Sequence, residues 1–560
     1  MVVGLSTSAA LVVLRLVNTQ IYTEPGTIDP WLYTALMTNF DAVYHHFVTT
    51  YYASRLPAIL PGYFLNSFLT PQHAYIVLHI VFFLAGALFL YLLVRTLFGV
   101  HVAVLVYPAF LTNAIYVNAQ RWDYVDGFVI TYLSGGLYFL ASCTGGRSRA
   151  RPALAGFFLA AAAMTNLFAT LLVLAGIASY LFLRFAIDRR SALLRVTIEA
   201  AWFIAGAAIL LVGCGLFARG HGGRFLFFVP SLHAVSALRA LPRVSSDYAW
   251  MRAEPRLLVP LFLAAVVALA WRRRRPEGER LGLAISVAGA AVVLLLTLWE
   301  FFRSGTFLYV DYYFDQLFPF FFVMLAAAVF SLLGRVSREV LPSYAALAAI
   351  GLVVGAAPIA IVFIERNKPY GTGGAQTAVA LMMATLLLAI VLRLGPGLGR
   401  VPTVALVAAA LAIGSVGYAS AANATTYLRM TNSGVRADPG DVFSLGVQLM
   451  DFMERNGLQD GALPGFWYDY SRDPSLRSLQ SLYFFAYTLI SETMPIPDAE
   501  LRAHLDVLRA ESVVLLCSDS ACGGGGEALR RAGFNPVLVA AERLHAGSKS
   551  VWVEAYRPDA

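Results

Sequence analysis

The sequence predicts a polytopic α-helical membrane protein carrying a small C-terminal α/β domain. Three observations predict it. The chain is 59% hydrophobic and only 13% charged, with a mean hydropathy of +0.69, whereas a soluble core of this size needs far more surface charge. Apolar stretches recur that are long enough to cross a hydrocarbon core of ~30 Å at ~1.5 Å per residue. After residue 420 the texture shifts to ordinary polar spacing, in which strand-like and amphipathic segments alternate.

The apolar stretches lie near 3–20, 74–95, 101–117, 126–142, 153–165, 168–185, 196–217, 257–271, 282–299, 313–333, 343–364, 375–393 and 403–420, about thirteen in all. The pair at 153–185 reads either as two short helices or as one long kinked one. The first stretch runs into a loop without a small-residue cleavage site and is read as a membrane helix, not as a cleavable signal.

The net charge of +8 does not point to nucleic acid, because the arginines fall in short clusters between apolar runs. Such clusters are the flanks that set topology. Arg147, Arg149 and Arg151 form one; Arg184, Arg189, Arg190 and Arg195 a second; and Arg272 to Arg275 with Arg280 a third. Arg335 with Arg338, and Arg393 with Arg400, make two weaker ones. All five share a side if 153–185 makes two crossings, and that side is read as cytoplasmic. The loops at 21–73, 118–125, 218–256, 300–312 and 365–374 then face outward, together with the C-terminal domain. The expectation is a membrane domain over 1–420 and an extracytoplasmic α/β domain over 421–560.

In that second domain ALPGFWY, SVVLLC and VLVAAERL read as strands, and 442–456, 498–510 and 526–533 as amphipathic helices. Cys517 and Cys522 are placed for a local disulfide on the oxidising side, while Cys143 and Cys214 read as small membrane residues. The run Gly523 to Gly526 lacks both GxGxxG and a GK[ST] ending, so it reads as a flexible turn before a helix.

The candidate chemistry concentrates in the polar island at 21–73, with Glu24, Asp29, Asp41, His45, His46 and Arg55 set among aromatic residues and prolines. Charges beside hydrocarbon-rich segments are costly unless they work or are paired. Asp29 precedes Pro30, which either leaves its carboxylate projecting from a turn or makes it the cap of a helix beginning at proline; both roles are compatible. Asp123 and Asp126, three apart, share a helical face. They could hold a divalent ion, shift one another's pKa, or simply suit a helix N-terminus. Arg55 and Arg303 are candidates for binding a phosphate. Asp311 and Asp315 lie near Arg303, and one of His45 and His46 could serve in proton transfer or ligation. The basic loop at 218–256 suits an anionic ligand or a lipid headgroup, or is a set of solvated arginines.

A first helix, an outward loop with an early acid, and then Tyr51-Tyr52-Ala53-Ser54-Arg55-Leu56-Pro57 resemble the polyprenyl-phosphate-sugar-dependent glycosyltransferases of the GT-C superfamily. Leu92-Leu93-Val94-Arg95-Thr96-Leu97-Phe98-Gly99 is similar to their first cytoplasmic turn, and Asp123 falls at the place of their second acid. Met164-Thr165-Asn166 is similar to their mid-chain hairpin, with asparagine where a lysine often stands. The likeness extends over 1–420 in layout and is sharpest over 21–190, toward bacterial relatives of protein O-mannosyltransferases and aminoarabinose transferases.

The resemblance implies an inverting sugar transfer at the outer face of the bacterial cytoplasmic membrane. The donor is a sugar on undecaprenyl or a similar polyprenyl phosphate; the acceptor is a lipid, glycan or protein hydroxyl. Asp29 is then the general base, and Asp123 or Asp126 orients the acceptor or helps bind Mg or Mn. Arg55, Arg121, Arg303 and His46 are expected to bind the donor phosphate. Many members carry paired acids where this chain has Asp29 alone, which makes Asp41 the substitute base. Two alternatives are an envelope polysaccharide ligase or polymerase, and a transporter or flippase. The first concentrates polar chemistry in a large late loop, and the second requires mid-helix charges and an internal repeat. The early acid and the uncharged apolar runs disfavour both.

Overall fold

The computed structural model describes residues 1–16, 29–121, 124–143, 148–187, 189–238, 255–269, 277–303, 311–333, 336, 340–364, 373–394, 401–431, 439–458, 465–468, 489–491, 512–517, 522, 524–547 and 549–559. After α1 (Val2–Leu16), the polar island folds into three short helices, α2 (Asp29–Thr38), α3 (Phe40–Phe47) and α4 (Leu56–Asn66). Prolines stand second in α2 and α4, in the first turn, where the absent N–H costs nothing and the fixed φ favours the helix. The loop is therefore a packed helical floor.

The apolar helices follow: α5 (Pro71–Phe98), α6 (Val100–Leu111), α7 (Ala114–Gln120), α8 (Val125–Ser142), α9 (Ala150–Thr165), α10 (Leu167–Ile187) and α11 (Arg189–Gly220). Next come α12 (Val229–Leu238), α13 (Pro255–Leu269), α14 (Glu277–Arg303), α15 (Asp311–Phe314), α16 (Phe318–Leu333), α17 (Tyr344–Ile364), α18 (Gly373–Leu394) and α19 (Pro402–Thr431). Among the described residues seven helices are long and apolar enough to cross a membrane, or eight if α6 and α7, bent by 60°, form one span. Five further apolar helices show 10–17 residues each within the described side chains. The chain is a multi-pass membrane protein. Against the sequence count of about thirteen crossings stand these seven or eight long spans and five shorter described helices, which leave the exact number an expectation.

The ambiguous stretch at 153–185 is two helices. Asn166 breaks it with extended backbone (φ −149°, ψ 125°), and its Oδ1 accepts a hydrogen bond from the Phe168 N–H at 3.0 Å, capping α10. Helix α16 is almost wholly enclosed, whereas α11 lies at the periphery. Phe110 of α6 and Tyr116 of α7 stack against Phe318 and Phe322 of α16, so aromatic packing fixes the central helix.

Helix α19 continues past 420, the boundary read from the sequence, to Thr431. Beyond it α20 (Pro439–Arg455) packs on a mixed five-stranded sheet of β1 (Gly465–Tyr468), β2 (Leu489–Ser491), β3 (Val513–Cys517), β4 (Pro536–Ala546) and β5 (Lys549–Pro558), in the order β2-β1-β3-β5-β4. Strand β1 runs parallel to β2 and β3, and β5 is antiparallel to β3 and β4. The helix at 498–510 read from the sequence lies outside the described residues. Cys517 and Cys522 are joined by a disulfide; Cys143 and Cys214 are free and buried. Gly524, in the left-handed region at φ +86°, turns the chain into the short helix Gly525–Arg531.

Candidate active site

Asp29 is the first residue of α2, and its carboxylate accepts a hydrogen bond from the Tyr52 hydroxyl at 3.2 Å. Tyr33, one turn along the same helix face, turns its hydroxyl to Arg55, whose Nη1 donates to it at 2.5 Å. The Arg55 guanidinium lies over the Tyr51 ring at 4.9 Å and the Tyr33 ring at 5.6 Å. Tyr33 packs in turn on Tyr52 at 5.9 Å and on Tyr124, at the head of α8, at 6.0 Å. Tyr124 and Tyr313 also face Arg55 closely enough to interact with it electrostatically, and Tyr313 packs on Phe168 of α10. The result is one buried guanidinium in a cage of phenols, with the Asp29 carboxylate at its rim.

The neighbours of Arg55 pin it. The Ser54 hydroxyl hydrogen-bonds the Ser231 hydroxyl of α12, and the Tyr132 hydroxyl of α8 donates to the Pro57 carbonyl at 2.6 Å. Arg55 is thus held from both sides along the chain, so its direction is fixed before any ligand arrives.

Burial raises the Asp29 carboxyl above the ordinary carboxylate range, opposed by the Tyr52 hydrogen bond and then by the Arg55 charge. Burial likewise pushes the Tyr51 phenol up to about 12 and raises Tyr33 and Tyr52, so all three are neutral donors near neutrality. A desolvated carboxylate held beside a fixed cation is a base poised to take a proton from a bound hydroxyl.

The second acidic segment adjoins this cage. Asp126 is fully buried in the first turn of α8, and Arg121 is buried at the end of α7. Asp123, its predicted partner, lies outside the described residues, as do the side chains of His46, Arg303 and Asp311. Among the described residues no group of three or more His, Cys, Asp or Glu is placed to hold a metal ion, and Asp123 lies outside them. Asp41 sits at the start of α3, and its carboxylate is paired with His221 Nδ1 at 2.6 Å in a largely exposed position. His45 is exposed as well. Asp315 and Gln316, in the 3₁₀ turn that opens α16, are buried near Tyr313.

The sequence reading assigns no role to Tyr33, Tyr51 and Tyr52, which form the wall around Arg55. The available signal was spacing: Asp29 and Tyr33 four apart on a short helix, and Tyr51, Tyr52 and Arg55 within one turn. Asn166 was singled out only as a departure from the lysine of the resemblance. It is buried, and among the described residues its Nδ2 has no hydrogen-bond partner.

No protein-family model matches the chain, and no curated protein matches it. Among solved structures it is similar to ArnT from Cupriavidus metallidurans in the apo state, with a TM-score of 0.44 and 15% identity over 99% of this chain and 97% of that one. The form of that protein bound to undecaprenyl phosphate gives the same TM-score of 0.44 at 14% identity. The archaeal oligosaccharyltransferase AglB from Archaeoglobus fulgidus, in complex with an inhibitory peptide and a dolichol-phosphate, has a TM-score of 0.44 and 14% identity, covering 92% of this chain and 69% of that one.

Proposed function

We propose that this protein is a membrane glycosyltransferase that moves a sugar from a polyprenyl-phosphate donor to an acceptor hydroxyl, with inversion, at the outer face of the cytoplasmic membrane. The observation that carries the reading is the pairing of a desolvated carboxylate, Asp29, with a pinned and buried guanidinium, Arg55, beside apolar helices. The two supply what such a transfer needs: a base for the incoming hydroxyl and a fixed positive charge for the departing phosphate.

In this reading the acceptor hydroxyl gives its proton to the Asp29 carboxylate, and its oxygen forms the new bond to the anomeric carbon. The bond from that carbon to the phosphate oxygen breaks, and its electron pair leaves with the polyprenyl phosphate. Arg55 receives the developing negative charge, with the Tyr33 hydroxyl holding its guanidinium in place. The Tyr52 hydroxyl keeps the Asp29 carboxylate oriented. Arg121, at the end of α7, is the second cation of this site, and Asp126 orients the acceptor side. Because the phenols around Arg55 are neutral, the charge of the leaving group is met by a fixed dipolar wall. The C-terminal domain belongs on the same outer side.

The test uses purified full-length protein in nanodiscs, radiolabelled polyprenyl-phosphate sugars and an envelope extract as acceptor source. The reading expects free polyprenyl phosphate and a labelled product of inverted anomeric configuration. A folded protein that neither binds nor consumes any such donor overturns it, and donor moved across a bilayer without being consumed identifies a transporter instead.

A further inference from the structure

We infer that Phe443, on the C-terminal helix α20, is a positioning residue that locks the two acid-bearing segments of the site to each other. The inference rests on the transferase reading above for its catalytic consequence, but the lock itself is a matter of packing. Phe443 is buried with its ring 6.3 Å from that of Trp31 and 5.1 Å from that of Tyr75. Trp31 is fully buried and lies two residues beyond Asp29 on α2. Tyr75, in the first turns of α5, reaches the other segment: its hydroxyl donates to the Arg121 carbonyl at 3.4 Å. Its ring lies 4.4 Å from His79, whose Nδ1 is hydrogen-bonded to the Gln120 carbonyl at 2.7 Å. One phenylalanine therefore touches the residue that seats α2 and the residue that seats the end of α7.

The partition of the core shows the same thing. Trp31 and Tyr75 belong to the apolar core of the C-terminal domain, with Val442, Leu445, Phe452 and the inner face of the sheet. Helix α20 is itself fixed, since the Gln448 side chain donates to the His545 carbonyl at 2.7 Å and accepts from the His545 N–H at 3.1 Å. A second, weaker tie runs from the Thr38 hydroxyl to the Met450 sulfur at 3.9 Å. Aromatic rings have few torsions to freeze, so a Trp–Phe–Tyr junction transmits position with little slack. A displacement of about 1 Å at a reacting group can cost on the order of a hundredfold in rate.

The experiment compares wild type, Phe443→Ala, Phe443→Leu and Phe452→Ala as full-length proteins in nanodiscs. Phe452 fills the same domain core and serves as the control for domain stability alone. Donor turnover is read as kcat and KM separately, and hydrogen–deuterium exchange is followed over 29–38 and 114–121. The expected result for Phe443→Ala is a kcat lowered ten- to a hundredfold with donor KM within threefold, and faster exchange in both segments but not in α16. Leucine should restore most of both, and Phe452→Ala should leave kcat within threefold of wild type. Unchanged exchange in either segment overturns the lock, and so does an equal loss of kcat in Phe452→Ala. If no protein turns over donor, faster exchange in both segments upholds the lock while the transferase reading falls.

Discussion

Replacing Arg55 by Gln removes the fixed charge of the site while leaving a side chain of similar reach. In wild type the guanidinium donates to the Tyr33 hydroxyl at 2.5 Å and sits over two phenol rings within 5.6 Å, so it is placed before the donor binds. Losing one such preorganised donor at a developing anion costs about 3–4 kcal/mol, or roughly a hundred- to a thousandfold in kcat. A second consequence fixes the direction of a pH effect. Burial raises the Asp29 carboxyl, while Tyr52 and then Arg55 pull it back down. Without Arg55 the carboxyl rises further, a smaller fraction is ionised at a given pH, and the acidic limb of the kcat profile moves to higher pH. Arg55→Lys keeps the charge but not the planar fork, so its limb should stay near the wild-type position while kcat recovers only in part. Donor turnover measured across about pH 4 to 9 gives both numbers. An Arg55→Gln protein within threefold of wild-type kcat, or one whose limb has not moved, would refute the reasoning.

Two further predictions concern stability. The Asp29 carboxyl is raised on folding, so its contribution is fully favourable below the unfolded pKa of about 3.9 and is lost as pH rises through the folded value. Asp29→Asn should therefore melt at a higher Tm than wild type at pH 7.5, with the gap closing at acid pH; scanning calorimetry at both pH values checks it, and a lower Tm at pH 7.5 contradicts it. Helices α9 and α11 touch through paired glycines: a Cβ on Gly156 would overlap the Phe203 carbonyl, and one on Gly206 the Ala153 carbonyl. Gly156→Ala should cost about 1–3 kcal/mol and shorten the half-life in detergent, while Gly4→Ala, inside α1 with open space around it, should not destabilise.

Much of this architecture could be read from the chain because membrane segments report themselves by composition. Among the described residues the apolar stretches lie on helices, with 101–117 divided between α6 and α7, and the break at Asn166 sits where two readings competed. The helices of the first loop were less visible, since α2 and α4 are short and nearly uniform in hydropathy, which leaves no periodic signal. Strand β5 was missed although KSVWVEAYRP alternates, and β2 is only three residues long. Asp29, Arg55, Arg121 and Asp126 stand out in the sequence as candidates because charge beside apolar runs is costly. The phenol cage and the Phe443 junction were not legible. The junction depends on residues hundreds of positions apart, and in the cage aromatic residues at a membrane face look alike whether they line a site or a lipid boundary.

The most direct measurement is donor turnover by Asp29→Asn beside Asp41→Asn and wild type, in one nanodisc preparation. Asparagine at 29 can still accept from the Tyr52 hydroxyl, so packing is kept and only the base is removed. Asp41 is exposed and bound up with His221, so its loss should leave turnover within about twofold. The account predicts a fall of about a hundredfold or more for Asp29→Asn. Equal turnover in Asp29→Asn and wild type, or a fall confined to Asp41→Asn, would contradict it.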